Sequence, residues 1–319
     1  MNKKVLITGI GQIGSFLIEH LIALGGYDIT AIYEHELAPY AKNHLNVNCI
    51  KHNLTKKGVC EYLIKTYLPD FCINTAANSS VSQCKNFNDT IKVNTLVVGE
   101  LLEAILKYKP DCKFCNCGSE QEFGGDNFYA LSKILSHKIV AFYRDKKNLF
   151  AIQPFIYPAI SERQSINSFC NKVVYGAVAI SRAVKNNNDF NSIIVGNLDI
   201  QSDFMYAGET AEILWRILNL NKLMGSHMSI AGGGVVSNRD FIKGVFRYLK
   251  NIEYQLSGKP YLIVDESLIR PNELNRVCDD NSLKFLKTAL NWTPKYNIDD
   301  IIKIMVENAI KTIDNHGKL

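Results

Sequence analysis

Short apolar runs alternate with segments of helical period through the first half of the chain. Strand-like runs fall at residues 5–7, 29–33, 47–50, 71–74, 113–117 and 150–153. Between them, apolar side chains recur at helical spacing over residues 14–24, 56–66, 90–107 and 129–144. Strands that alternate with helices predict an α/β fold, a doubly wound parallel sheet with helices on both faces. In such a sheet a ligand sits at the carboxyl ends of the strands.

The rhythm changes after Phe155. Residues 156–190 hold an irregular piece and one helical segment, 168–185. Two more helical segments follow at 206–220 and 238–249. Residues 260–319 carry a short strand (261–264), a loop at Arg270-Pro271 and helical segments at 281–290 and 298–312. The division expected is a dinucleotide-binding domain at 1–155, with 192–250 contributing in part. A smaller lobe at 156–191 and 251–319 would bind substrate and close over the first.

The turn after the first strand carries the chemistry. Gly9-Ile10-Gly11-Gln12-Ile13-Gly14 has the pattern G-x-G-x-x-G, directly after residues 5–7 and opening a helix. That setting is Rossmann-type. Gly9 makes the tight turn, Gly11 lets a pyrophosphate approach, and Gly14 allows close packing of helix on strand. Gln12 and Ile13, at the helix start, fall among the cofactor contacts. Glu34 ends the second strand, 20 residues beyond Gly14. An acid at that spacing accepts hydrogen bonds from the ribose hydroxyls of NAD and repels the 2′-phosphate of NADP, so NAD is expected in preference to NADP.

Composition adds bounds. The chain has 319 residues, 47% hydrophobic and 21% charged, as in globular proteins. A net charge of +5 on scattered basic residues leaves no footprint for nucleic acid or a membrane surface. No run is long enough to span a bilayer, and the first strand lacks a signal-peptide core, so a cytoplasmic location is expected. Of nine cysteines, three lie in Cys112-Lys-Phe-Cys115-Asn-Cys117. No partner cluster with His follows, and the stretch reads as a buried strand, so reduced structural thiols and no metal are expected.

Tyr129-Ala-Leu-Ser-Lys133 places a phenol and an ammonium four residues apart on one helical face. A lysine beside a tyrosine favours phenolate, and the tyrosine can then exchange a proton with an alcohol while a hydride moves to or from NAD. Ser119 lies at the end of the preceding strand, over the expected cofactor position.

Together these residues resemble the extended short-chain dehydrogenase/reductases, the NAD-dependent epimerase/dehydratase group acting on nucleotide sugars. Within the group the resemblance is to the GDP-mannose 4,6-dehydratase and GDP-4-keto-6-deoxymannose reductase branch. It rests on Asn74-Thr-Ala76-Ala77, Val93-Asn94, Gly196-Asn197-Leu-Asp199 with Asp203-Phe204, Arg270-Pro-Asn-Glu273 and Leu290-Asn-Trp-Thr-Pro294. It implies cofactor contacts from Ala76, Ala77, Asn94, Tyr129, Lys133 and Pro154. Asn53-Leu54 stands where the family has Asp-Leu beside the adenine. Asn197, Arg270 and Glu273 would bind a GDP-linked sugar, Arg270 at a phosphate and Glu273 at the ribose. A homodimer or homotetramer is implied, paired through the helices at 90–107 and 129–144.

Three departures shape the reading. Ser202 replaces the family arginine before Asp203. Ser119 and Tyr129 are only 10 residues apart, where the family has a longer loop. An ungapped reading of Ser119-Glu120-Gln121-Glu122 puts Gln121 where dehydratases carry the base for carbon 5. Glu120 is then the candidate base, and Glu122 the alternative. The leading expectation is a 4,6-dehydratase acting through oxidation at carbon 4. A 4-keto reductase or 4-epimerase needs no such base and stands second. A catalytically impaired scaffold retaining NAD stands third.

Overall fold

Six strands form the main sheet: β1 (Lys3–Thr8), β2 (Tyr27–Tyr33), β3 (Asn48–Lys51), β4 (Phe71–Asn74), β5 (Lys113–Asn116) and β6 (Ala151–Ile152). Their order is β3-β2-β1-β4-β5-β6, and every pairing is parallel. The computed structural model describes residues 2–36, 47–223, 228–249, 259–270 and 273–316. All four residues of β4 are buried, which is why its first three are apolar without alternation. Strand order reverses between β1 and β4, and the crevice outside such a switch point is where α/β sheets take ligands.

Helices α1 (Gln12–Leu24), α2 (Val59–Tyr67) and α3 (Phe87–Ile91) lead to a π-helical turn at Lys92–Leu96. From it run α4 (Val97–Tyr108) and, after β5, α5 (Phe128–Lys147). Leu63 of α2, Leu101 of α4 and Val140 of α5 share one core with Leu6, Cys72 and Phe114 of the strands. Successive strand residues face opposite ways, so Phe71 looks out on the other face from Cys72. There it meets Trp215, 4.8 Å between ring centroids. Trp215 comes from a later helix, which therefore covers that face. The expected strand at 150–153 is shorter than its apolar run: β6 stops at Ile152, and Gln153 is buried in a polar network instead.

Beyond the sheet lie β7 (Phe155–Ile156), β8 (Ala159–Ile160), α6 (Phe169–Lys185), β9 (Ile193–Val195), β10 (Gln201–Asp203) and β11 (Met205–Tyr206). Then come α7 (Ala207–Leu218), which carries Trp215, β12 (Ser229–Ile230), β13 (Val235–Ser237), α8 (Asn238–Tyr248), β14 (Leu262–Val264), α9 (Asp280–Ala289) and α10 (Ile298–His316).

The chain divides into two compact units. The first is Met1–Ile156 with Gly208–Ile230 and Lys284–Trp292; the second is Tyr157–Ala207, Ala231–Leu283 and Thr293–Leu319. The second unit has its own core, in which Val174 of α6, Phe241 of α8 and Ile302 of α10 pack together with Phe204. Its strand pairs are two residues long, as in β8–β11, or three, as in β9–β14 and β10–β13. Pairs this short have no alternating signature to read in sequence.

Candidate functional site

The glycine turn has the geometry its spacing predicts. Gly9 adopts φ +91°, and a Cβ there would lie 2.6 Å from the Ala76 nitrogen. A Cβ on Gly14 would lie 2.1 Å from the Gly9 carbonyl oxygen, so both positions admit only glycine. Gly11 faces open space, and as the residue before α1 it caps with no side chain. A packed turn with one open face at a helix N-terminus fits a pyrophosphate. Gln12 and Ile13 open α1 and are half-buried; Ala76 and Ala77, just past β4, are likewise half-buried.

Glu34 lines a cleft of about 350 Å³ with His35, Lys51, His52, Asn53, Lys56 and Val59. The structure thus brings Glu34 and Asn53 together at the edge of β2, as the adenosine end of a dinucleotide requires. Asn53 uses its side-chain oxygen within its own turn, accepting from the Thr55 nitrogen at 2.8 Å. Leu54 is buried in the core. The two lysines beside Glu34 carry no local signal that marks them as part of the site; they sit on and after β3, and only folding sets them against the end of β2.

Asn94 sits on the π-helical turn, 1% exposed. Its amide donates to the Asn78 carbonyl at 3.1 Å and the Ser132 hydroxyl at 3.0 Å, and its oxygen accepts from the Asn78 nitrogen at 2.9 Å. It therefore ties the loop after β4 to α5. A π turn aims a side chain that a regular helix would leave elsewhere, and such turns collect at functional sites.

Ser119, Glu120, Tyr129 and Lys133 come together beyond β5. Ser119 is the N-cap of a short 3₁₀ turn, Glu120–Phe123. Its hydroxyl donates to Oε2 of Glu120 at 2.9 Å, and the Gln121 amide donates to Oε1 of Glu120 at 3.1 Å. Lys133 is buried on α5; its Nζ donates to the Cys117 carbonyl at 2.6 Å and lies 5.8 Å from the Tyr129 ring centre. Pro154 is buried after β6, and its carbonyl accepts from the Gly118 nitrogen at 3.1 Å.

The expected lowering of Tyr129 by its lysine does not hold in this structure. Burial pushes the phenol well above its usual range, the Glu120 carboxylate adds to the shift, and a bond from Ser119 only partly opposes it. Burial also holds Lys133 below the usual lysine range. Desolvation penalises both charged forms.

A second layer of polar side chains lies under this site, and no local spacing signals its extent. Thr8 donates to Asn74 (2.5 Å), Asn74 to Asn116 (2.7 Å), and Asn116 to Gln153 (2.6 Å). The Gln153 amide donates to Glu122 at 2.9 Å. The chain of bonds crosses the carboxyl ends of β1, β4, β5 and the exit of β6. Every member up to Gln153 is 1% exposed or less, and each bond satisfies a group that would be costly to bury alone.

The remaining predicted site residues lie in the second unit. Asn197 caps its own turn, accepting from the Asp199 nitrogen at 2.9 Å, and its carbonyl accepts from Asn238 at 2.8 Å. A Cβ on the preceding Gly196 would lie 2.9 Å from the Leu268 carbonyl, so the turn packs against the segment leading to Arg270. Nη1 of Arg270 is 3.9 Å from Oε1 of Glu273, and Nη2 of Arg276 is 3.6 Å from the same oxygen. Pro271 and Asn272, between Arg270 and Glu273, fall outside the described residues. All nine cysteines are free thiols and eight are buried. Among the described residues no cluster could hold a metal ion, and no helix is long and apolar enough to cross a membrane.

A Rossmann-type sheet with a glycine turn and a Ser-Tyr-Lys group is the architecture of nucleotide-sugar epimerases and dehydratases. The sequence profile of the family described as GDP-mannose 4,6 dehydratase matches residues 6–305, and the chain belongs to that family. GDP-mannose 4,6 dehydratase 2 of Arabidopsis thaliana is 26% identical, covering 97% of this chain and 87% of the relative. GDP-mannose 4,6-dehydratase of Vibrio cholerae is 25% identical over 100% and 97% of the two chains. Among solved structures, dTDP-glucose 4,6-dehydratase from Bacillus anthracis in complex with NAD superimposes with a TM-score of 0.78 at 16% identity, covering 98% of each chain. UDP-glucuronic acid 4-epimerase from Bacillus cereus, in complex with UDP-glucuronic acid and NAD, gives 0.78 at 19% identity over 97% and 99%. At these identities the structural likeness speaks for the fold.

Proposed function

We propose that this chain is a NAD-dependent GDP-sugar 4,6-dehydratase, with its first unit binding the cofactor and its second the nucleotide sugar. The observation that carries the reading is the Glu120 carboxylate, hydrogen-bonded to Ser119 on the turn that also approaches Tyr129. NAD would be held by Gly9, Gly11, Gly14 and Glu34, and when bound it supplies the acceptor for the carbon-4 hydride and returns that hydride to carbon 6. Tyr129 removes the proton from the carbon-4 hydroxyl, and Ser119 orients that hydroxyl. The resulting ketone acidifies the proton on carbon 5. Glu120 removes it and passes it to the hydroxide that leaves carbon 6 as water, and carbon 5 takes a proton from solvent as carbon 6 is reduced. Lys133, now on the Cys117 carbonyl, would turn to the nicotinamide ribose. Asn197, Arg270 and Glu273 would contact the GDP moiety.

The test is incubation with GDP-mannose in deuterated water. A dehydratase yields a 4-keto-6-deoxy product, lighter by one water in ordinary solvent, with deuterium at carbon 5. A 4-epimerase or 4-keto reductase incorporates none there. Gln121 at the family's base position supports that second reading, since an amide takes no proton at neutral pH. The exposed apolar side chains Leu96, Leu131 and Phe142 on and beside α4 and α5 support a dimer built through those helices.

A further inference from the structure

Glu122 is the one carboxylate of the catalytic turn that does not face the site. Its side chain is 4% exposed. Oε1 accepts from the Ser119 backbone nitrogen at 3.0 Å and from the Gln153 amide at 2.9 Å. Oε2 lies 2.9 Å from Nδ1 of His137 on α5. His137 stands one helical turn beyond Lys133 and two beyond Tyr129, on their face of the helix. Its ring stacks on Phe155, 4.9 Å between centroids and 15° between planes. Gly118 leaves room for the carboxylate: a Cβ there would lie 2.8 Å from Oε1 of Glu122 and 2.4 Å from the Pro154 carbonyl oxygen.

We propose that Glu122 and His137 form a clamp that positions the catalytic turn. The carboxylate grips the Ser119 amide from below, Gln153 joins it to the polar layer across the sheet ends, and His137 anchors it to the helix that carries Tyr129 and Lys133. Strand end and helix are thereby locked in register through one buried side chain. Ser119 and Glu120 then point at the place where Tyr129 acts. A buried carboxylate is retained only when its oxygens are satisfied, and here two donors, the Ser119 amide and the Gln153 side chain, converge on Oε1 while Nδ1 of His137 stands 2.9 Å from Oε2. Glu122 is thus a positioning residue, and Glu120, whose carboxylate bonds the Ser119 hydroxyl, is the one left for proton chemistry. The clamp also compensates the short Ser119–Tyr129 connection, because a 10-residue link alone leaves the turn's rotation undetermined. The catalytic part of this inference rests on the dehydratase reading; the structural part does not.

Three variants test it: Glu122→Gln, His137→Phe and His137→Asn. Phe keeps a ring on Phe155 but no nitrogen; Asn keeps a nitrogen where Nδ1 stands but no ring. Each protein is assayed with GDP-mannose for carbon-4 oxidation, read as reduced cofactor, and for deuterium uptake at carbon 5. The amide exchange of Ser119 is read by mass spectrometry without substrate. Glu122→Gln and His137→Phe should lower oxidation and carbon-5 exchange together, each by roughly 10- to 100-fold, with their ratio unchanged. The Ser119 amide should exchange about tenfold faster in both. His137→Asn should recover most of the loss. Loss of carbon-5 exchange alone in Glu122→Gln would make Glu122 the base and overturn the proposal. So would wild-type rates and protection in His137→Phe, or a His137→Asn protein no better than His137→Phe. If the wild-type protein leaves GDP-mannose unchanged, the dehydratase reading fails, while the Ser119 amide still decides whether the clamp exists.

Discussion

Tyr129 shows how burial and neighbouring charge set the chemistry of one residue. Its phenol is held well above the usual range, first by burial and then by the Glu120 carboxylate. A base must lose its proton first, so carbon-4 oxidation should rise with pH on its acid side. Glu120→Gln removes one of the charges that hold the proton, and that limb should move to lower pH; a limb left in place would remove Glu120 from the tyrosine's surroundings. Tyr129→Phe should cost at least about 10²-fold in turnover, the low end for a general acid–base group, with cofactor binding nearly intact. Retention of a tenth of the activity or more would reassign the proton transfer. Glu34 allows a sharper prediction than its spacing alone did. Glu34→Ala should weaken NAD about tenfold, the equivalent of one hydrogen bond to a charged group. NADP should bind better to the same protein, because Lys51 and Lys56 still line the cleft. Titration with both cofactors decides; unchanged NADP affinity would mean that the lysines do not reach the 2′ position.

Elements explain why some of this was legible and some was not. The glycine turn, Glu34, the Tyr129–Lys133 pair and the strands were readable because each depends on local spacing along one element. Gly14→Ala tests that locality: its Cβ would meet the Gly9 carbonyl at 2.1 Å, and backbone cannot move aside cheaply. It should lose dinucleotide binding and roughly 1–3 kcal/mol of stability, read by titration and denaturant unfolding. The cysteines in and around β5 were likewise readable as core. Burial pushes Cys117 up to about 11 and Cys60 up to about 12, so both stay protonated at neutral pH. A thiol reagent should therefore reach only Cys49 quickly in the native protein, and all nine cysteines once it is unfolded. Fast reaction of several thiols would contradict the packing of β4 and β5. What could not be read joins separate elements: Asn116 to Gln153, Glu122 to His137, Lys51 to the end of β2. Glu122 was visible only as a second carboxylate near Ser119, because nothing in Ser-Glu-Gln-Glu tells which one turns inward. That choice is made by Gln153 and His137, respectively 31 and 15 residues away along the chain.

At the scale of the whole molecule, α5 carries Tyr129 and Lys133 and, with α4 and the turn before it, the candidate surface for a second copy. Thr95, just before α4, bonds the Ser132 carbonyl, and Glu103 bonds Tyr143 further along, so the two helices run side by side in one direction. Their inner faces bury Leu101, Leu102, Ile105 and Val140 in the core of the sheet. Outward they leave Leu96 at 52%, Leu131 at 40% and Phe142 at 51% exposed. Large apolar side chains left facing water along two adjacent helices are what a partner covers, and a two-fold axis would set two such pairs into one four-helix layer. Leu96→Glu combined with Phe142→Glu should leave the core untouched, because both side chains point away from it. It should convert the protein to monomers at concentrations where the unaltered chain is a dimer, as measured by sedimentation. Cofactor binding should survive, since Gly9 and Gly11 lie in the turn between β1 and α1, Gly14 on α1 and Glu34 just past β2, none of them on α4 or α5. A wild-type monomer at working concentration, or a double variant that sediments as the wild type does, would remove these helices as the interface.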